Sequence, residues 1–189
     1  MRHFSIFLLA ASCLLLAGPR AGAQRTMTGQ DFVSVFAETP FTSAGLSAEW
    51  GRYHLYGLWS AGLSAVDRRV DFTSEGVTCR SSYLHTEAYY DWLFRIAATT
   101  SRSVSWYAGA GAFLGLETMD PFSRVPSDKV KAEEGTSFLY GLSVRTELEI
   151  FLSDALALVA KFRVPCNFNT RIPSGNVLFE AGLGLRFNL

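Results

Sequence analysis

From Phe179 to Leu189 every odd position is apolar: Phe179, Ala181, Leu183, Leu185, Phe187 and Leu189. Glu180, Gly182, Gly184, Arg186 and Asn188 lie between them. A period of two is that of a β-strand with one apolar face. Seven earlier segments share the pattern: about Asp31–Glu38, where alternation is mixed, then Thr42–Trp50, Tyr53–Asp67, Ser82–Ile96, Ser103–Glu117, Ser137–Leu152 and Leu156–Val164. In Ser82–Ile96, Leu84, Ala88, Tyr90, Trp92 and Phe94 alternate with Tyr83, His85, Glu87, Tyr89 and Asp91. In Ser137–Leu152, Phe138, Tyr140, Leu142, Val144, Leu148 and Ile150 oppose Gly141, Ser143, Arg145, Glu147 and Glu149. No helical period competes in any of the eight.

The connections between these segments alternate in length. Gly51–Arg52, Ala98–Arg102 and Ser153–Ala155 read as short turns. Asp67–Cys79, Thr118–Thr136 and Pro165–Gly175 read as long loops. Tight turns at one end and long loops at the other are the pattern of an outer-membrane β-barrel. The expected fold is therefore all-β, an eight-stranded antiparallel up-and-down barrel. The even strand count places both termini on the short-turn, periplasmic side.

Alternation alone also fits a soluble eight-stranded barrel of the lipocalin kind, apolar face inward. Three features favour the inverted arrangement. The polar face mixes opposite charges with glycines, which suits a narrow closed lumen better than a solvated exterior. Trp50, Tyr53, Trp92, Trp106 and Tyr140 sit near segment ends, as interfacial girdles do. Several segments also exceed the ~9–11 residues that a tilted strand needs to cross a bilayer. A membrane barrel must close to satisfy its backbone, so the C-terminal segment is expected to form one seam, with Leu183, Leu185, Phe187 and Leu189 toward lipid. Glu180, Gly182, Leu185 and Phe187 also fill the pattern read as a C-terminal signal by the outer-membrane assembly machinery.

Arg2 and His3 precede the apolar run Phe4–Gly18, which is followed by Ala21-Gly22-Ala23. This predicts a secretory signal peptide over 1–23, cleaved after Ala23, with the barrel over 24–189. The run is shorter than a spanning helix needs. A lipoprotein signal at Cys13 fits poorly, because Leu14-Leu15-Leu16-Ala17-Gly18 follows it. Removing 23 of 189 residues leaves 166, suited to one domain. Taking Arg2 and Arg20 from 17 Lys+Arg leaves 15 against 17 Asp+Glu. That slight acidity argues against direct nucleic-acid binding. Cys79 and Cys166, 87 positions apart, form no disulfide framework, and whether they pair is left open.

Candidate chemistry is sparse. His85 and Glu87 share a face with Asp91 and could in principle serve as acid and base; a lumen hydrogen-bond network is the preferred reading. Gly109–Gly115 has neither the spacing nor the helix of a phosphate loop, and no cluster has metal-ligand spacing. The expectation is no enzyme, no cofactor, no metal and no porin activity. The strong constellation is a lumen charge network: Arg145, Glu147, Glu149, Lys161, Arg163, Glu180 and Arg186, with Glu49, Glu87 or Glu117 supplying further anions, because buried charges require partners. The Ser153–Ala155 turn sets Glu147 opposite Lys161 and Arg145 opposite Arg163. Glu147 is then diagonal to Arg163, and its loss is expected to cost more than that of Lys161.

Tyr140-Gly141, Arg145, Glu147, Phe151-Leu152-Ser153-Asp154, Arg163 and Gly182-Leu183-Gly184-Leu185-Arg186-Phe187-Asn188 together resemble the TraO family of Bacteroides-type conjugative transposons. The likeness is loose from Thr26 to Asp91. It implies a component of a conjugative DNA-transfer apparatus at the cell envelope and brings no catalytic residues. The partners it implies, with the barrel grammar, are outer-membrane lipid, the outer-membrane assembly machinery and other conjugation proteins. The Thr118–Thr136 loop, which holds Asp120-Pro121-Phe122 and Ser127–Gly135, is the expected contact surface. A general small barrel for adhesion or envelope stability and a lipid-modifying outer-membrane enzyme are the alternatives.

Overall fold

In the computed structural model eight antiparallel strands close on themselves in sequence order. The structure describes residues 28–39, 44–74, 77–100, 103–119, 136–170 and 176–189, with side chains other than those of 69–81 and 119. The expected signal peptide, Cys13, residues 120–135 and residues 171–175 lie outside the described residues. The strands are β1 Asp31–Thr39, β2 Ala44–His54, β3 Gly57–Ser74, β4 Val77–Ala98, β5 Val104–Met119, β6 Thr136–Phe151, β7 Leu156–Asn167 and β8 Glu180–Asn188. The seam is β8 on β1, from Phe32 opposite Asn188 to Thr39 opposite Ala181. The C-terminal segment thus lends its backbone to closure, as its alternation predicts.

The alternation sorts side chains as expected for an inverted barrel. Leu63, Trp92, Leu114, Tyr140, Val144, Leu185 and Phe187 project outward, while Arg145, Glu147, Glu149, Lys161, Arg163, Glu180 and Arg186 are buried inside. An exterior that is apolar on all strands has no counterpart in a soluble barrel. Among the aromatics on that face, Trp50 packs edge-on to Trp59 at 4.8 Å, and Trp59 stacks on Tyr90 at 5.8 Å. Trp106 Nε1 donates to Thr146 Oγ1 at 2.6 Å, and Thr146 in turn donates to the Tyr107 carbonyl at 2.9 Å. The polar group on the outer face is therefore satisfied without water.

Four sequence expectations need correction. Gly51–Arg52 is not a turn: β2 runs on to His54, and Leu55–Tyr56 make the turn. Gly51 is there for packing, since a Cβ would meet the Trp59 carbonyl oxygen at 2.3 Å and the Phe32 ring at 2.4 Å. Tyr53 consequently points inward and is buried, not part of an outer girdle. Asp67–Cys79 is not a loop: β3 and β4 stay paired from Arg68–Tyr83 to Ser74–Val77. This ribbon extends beyond the last β2 partner, Ala44 opposite Asp67, and the last β5 partner, Met119 opposite Tyr83. Beyond the rim neither face need be apolar, so pairing continues where the period-two signal stops. Pro165 likewise lies within β7 near its end, where its carbonyl accepts from Leu178 N at 3.1 Å.

Candidate functional site

The lumen is where the polar chemistry gathers. Phe32, Tyr53, Leu58, Leu93 and Tyr107 form a buried apolar layer near the short-turn end. They come from strand ends on β1 to β5, where inward positions happen to be large and apolar. Charged side chains from all parts of the wall fill the space toward the far end.

All seven residues expected in the network face the lumen, each at most 5% exposed. Arg145 from β6 binds Glu49 of β2 at 2.8 Å, Asp91 of β4 at 3.0 Å and Glu147 at 2.6 Å. Glu147 also binds Arg186 of β8 at 2.8 Å, and Arg186 binds Glu149 at 3.0 Å. Tyr53 donates its hydroxyl to Glu149. Lys161 of β7 reaches Glu38 of β1 at 2.5 Å and Glu49 at 3.0 Å. A second group lies toward the far end. Arg163 pairs with Glu87 and stands 3.6 Å from Glu180, Arg68 binds Glu180 at 2.5 Å, and His85 Nε2 is 3.3 Å from Glu87.

Aromatic rings separate these charges into compartments. The Arg186 guanidinium carbon lies 4.1 Å from the Phe32 ring centroid. Lys161 Nζ lies 4.2 Å from Phe36, and the Arg163 guanidinium carbon lies 4.7 Å from Tyr89 and 5.2 Å from Phe113. Arg186, Lys161 and Arg163 thus gain a π face as well as carboxylates, in a buried space where both interactions strengthen.

The β6–β7 register is the expected one, with Glu147 opposite Lys161 and Arg145 opposite Arg163. The expected partners are not. Glu147 pairs with Arg145 and Arg186, not with Lys161 or Arg163. Cross-strand adjacency loses because Glu147 is taken by Arg145 on its own strand and by Arg186 two strands away, while Lys161 reaches Glu38 and Glu49 on β1 and β2. The facing arginines diverge to different anions, which removes the like-charge conflict. Glu49 and Glu87 supply anions as anticipated. Glu117 accepts from Thr170 Oγ1 at 3.0 Å. Glu38 and Arg68 escaped the sequence reading. Glu38 closes the segment with mixed alternation, and Arg68 lies one residue past the expected end of the third strand. Asp91 was noted only as a possible acid–base group.

Within the C-terminal pattern, Glu180 faces the lumen, Gly182 lies against the Lys161 stem, and Leu185 and Phe187 face outward. Cys166 is a free thiol, and the Cys79 side chain lies outside the described residues. Among the described residues no group of three His, Cys, Asp or Glu side chains is placed to hold a metal ion. The described residues contain no helix long and apolar enough to cross a membrane, which says nothing of spanning strands.

Comparison with known proteins completes the picture. The N-terminal β-barrel domain of Pseudomonas aeruginosa OprF is similar over 86% of this chain and 98% of that one, at 13% identity and a TM-score of 0.49. Ail, the attachment invasion locus protein of Yersinia pestis, is similar over 86% and 100%, at 14% identity and a TM-score of 0.48. Neisserial surface protein A is similar over 85% and 95%, at 16% identity and a TM-score of 0.43. No match is found among curated proteins. The family model for the conjugative transposon protein TraO matches residues 37–189, which take in the end of β1 and all of β2 to β8, and the chain belongs to that family.

Proposed function

We propose that this protein is a non-enzymatic outer-membrane component of a conjugative transposon's transfer apparatus, anchoring or stabilising it in the donor envelope. The observation that carries the reading is the inverted barrel of a TraO-family chain: an apolar exterior around a lumen of mutually paired charges. Such an exterior is stable only in lipid, and closed barrels are the strand-built solution to spanning it. In a Gram-negative envelope that lipid is the outer membrane, with both termini in the periplasm. A side-chain-filled lumen of eight strands is too narrow for DNA or a folded protein, so the role in transfer runs through surfaces. The β5–β6 connection, residues 120–135, is the favoured contact for other conjugation proteins. The outward Leu185 and Phe187 at the end of β8 suit recognition by the outer-membrane assembly machinery.

The test has two parts. The protein should fractionate with outer membranes and migrate differently on a gel before and after boiling; recovery as a soluble periplasmic protein ends the membrane reading. Donors lacking the gene should lose transfer, and donors in which residues 120–135 are replaced by a tight turn should lose most of it. Normal transfer from the shortened-loop donor alone moves the contact to the periplasmic side. Normal transfer from the full deletion as well leaves a general envelope barrel as the better reading.

A further inference from the structure

The charged groups of the far-end compartment are not equally satisfied. Arg163 spends Nη1 on Glu87 and Glu180, while its Nε and Nη2 have no hydrogen-bond partner. Arg68 spends Nη2 on Glu180, while its Nε and Nη1 have none. His85 donates Nε2–H to Glu87, since a carboxylate only accepts, and its Nδ1 is then an acceptor and not a further donor. All three side chains are more than nine-tenths buried. A buried N–H left without an acceptor is costly, and two arginines, which carry only donors, cannot relieve it by turning to one another. The contacts Arg68–Glu180–Arg163–Glu87–His85 make the three residues neighbours.

The unused atoms have a shape. Nε and Nη2 of Arg163 form the side edge of the guanidinium, which binds two oxygens of one oxyanion in parallel. Donors from two strands, β3 and β7, suit an anion with oxygens on more than one side. Glu180 and Glu87 already hold the two guanidinium groups in place. The compartment lies at the far-end mouth beside the lowest part of the described wall: β1 and β8 have nine residues each, β3 and β4 have 18 and 22.

We propose that the far-end mouth of the lumen is a phosphate site in which Arg68 and Arg163 donate to one phosphate group, from a lipid headgroup or free in solution. The site stands independently of the conjugation reading, since it concerns the folded barrel alone.

The test uses the full barrel refolded in a phosphate-free zwitterionic detergent. Inorganic phosphate is titrated against chloride at matched ionic strength, and unfolding is followed by the gel shift on heating. A parallel arm uses zwitterionic vesicles with and without a phosphomonoester lipid. At a hundredfold excess over Kd the unfolding temperature should rise by roughly 5–10 °C. The variant Arg68→Lys keeps the charge facing Glu180 but loses the unused donors, so it should fold and lose most of that rise. Arg52→Gln, at the short-turn rim, should keep it. A rise with inorganic phosphate that Arg68→Lys removes supports a site open to free phosphate. A rise only with the phosphomonoester lipid, again removed by Arg68→Lys, supports a headgroup site. No rise in either arm, or a full rise in Arg68→Lys, overturns the proposal.

Discussion

Removing Arg186 should damage the barrel far more than removing one of its carboxylate partners. The group that runs from Glu149 to Glu38 holds five carboxyls, Glu38, Glu49, Asp91, Glu147 and Glu149, against three cations, Arg145, Lys161 and Arg186. Arg186→Gln leaves Glu149 without a cation and takes one of two from Glu147. It also removes the π contact with Phe32 and the bond to Ser34 Oγ at 2.9 Å. Breaking a buried ion pair from one side costs about 3–5 kcal/mol, and the lost ring contact adds roughly 0.5–2 kcal/mol. Glu149→Gln is different. The amide oxygen can still accept from Tyr53 and Arg186, and the change lowers an excess of negative charge. Its cost should stay within about 1 kcal/mol. Both variants, refolded into the same detergent, can be compared by equilibrium urea unfolding read from tryptophan fluorescence. Equal destabilisation by the two variants would refute the charge count as the organising feature of the lumen.

Lys161→Met should cost more than Glu147→Gln in the same assay, by about 1–3 kcal/mol. Lys161 is the cation at Glu38, whereas Arg145 and Arg186 each keep another carboxylate when Glu147 is neutralised; this reverses the order expected from strand register alone. Gly184→Val should destabilise by about 1–3 kcal/mol or more, since a Cβ there would lie 2.3 Å from the Val35 carbonyl oxygen and 2.5 Å from the Phe36 ring, and it would act on the seam itself. Phe187→Ala should refold in detergent with stability close to the parent but assemble poorly in cells. Equal surface yield of the variant and the parent would count against the C-terminal pattern as an assembly signal.

The strand count, the seam and the inward face of β6 to β8 could be read from the sequence because one physical rule governs them. Lipid on one side and a filled lumen on the other force strict alternation from Thr136 to Phe151 and from Glu180 to Asn188. Legibility fails where that rule relaxes. The β3–β4 ribbon beyond Asp67 extends past the last β2 and β5 partners, where closure of the barrel no longer imposes one polar and one apolar face. Gly51 and Tyr53 mislead because packing against Phe32 in the lumen and a turn look alike in one dimension. The network's members were legible from parity, but not its pairing. Register fixes which residues are paired on neighbouring strands, while the partners of Arg145, Lys161 and Arg186 lie on their own strand or two or more strands away.

The central claim is that alternate residues of each strand meet lipid and a sealed charged lumen. Nitroxide labels placed singly along β6, at Leu142, Ser143, Val144 and Leu148, test it most directly in refolded proteoliposomes. Collision rates with oxygen, which concentrates in the bilayer, are compared with those of a water-soluble nickel chelate. The account predicts high oxygen and low chelate accessibility at Leu142, Val144 and Leu148, and low accessibility to both at Ser143. High chelate accessibility at Leu142, Val144 and Leu148 would contradict it, because those faces would then meet water and the barrel would not be inverted.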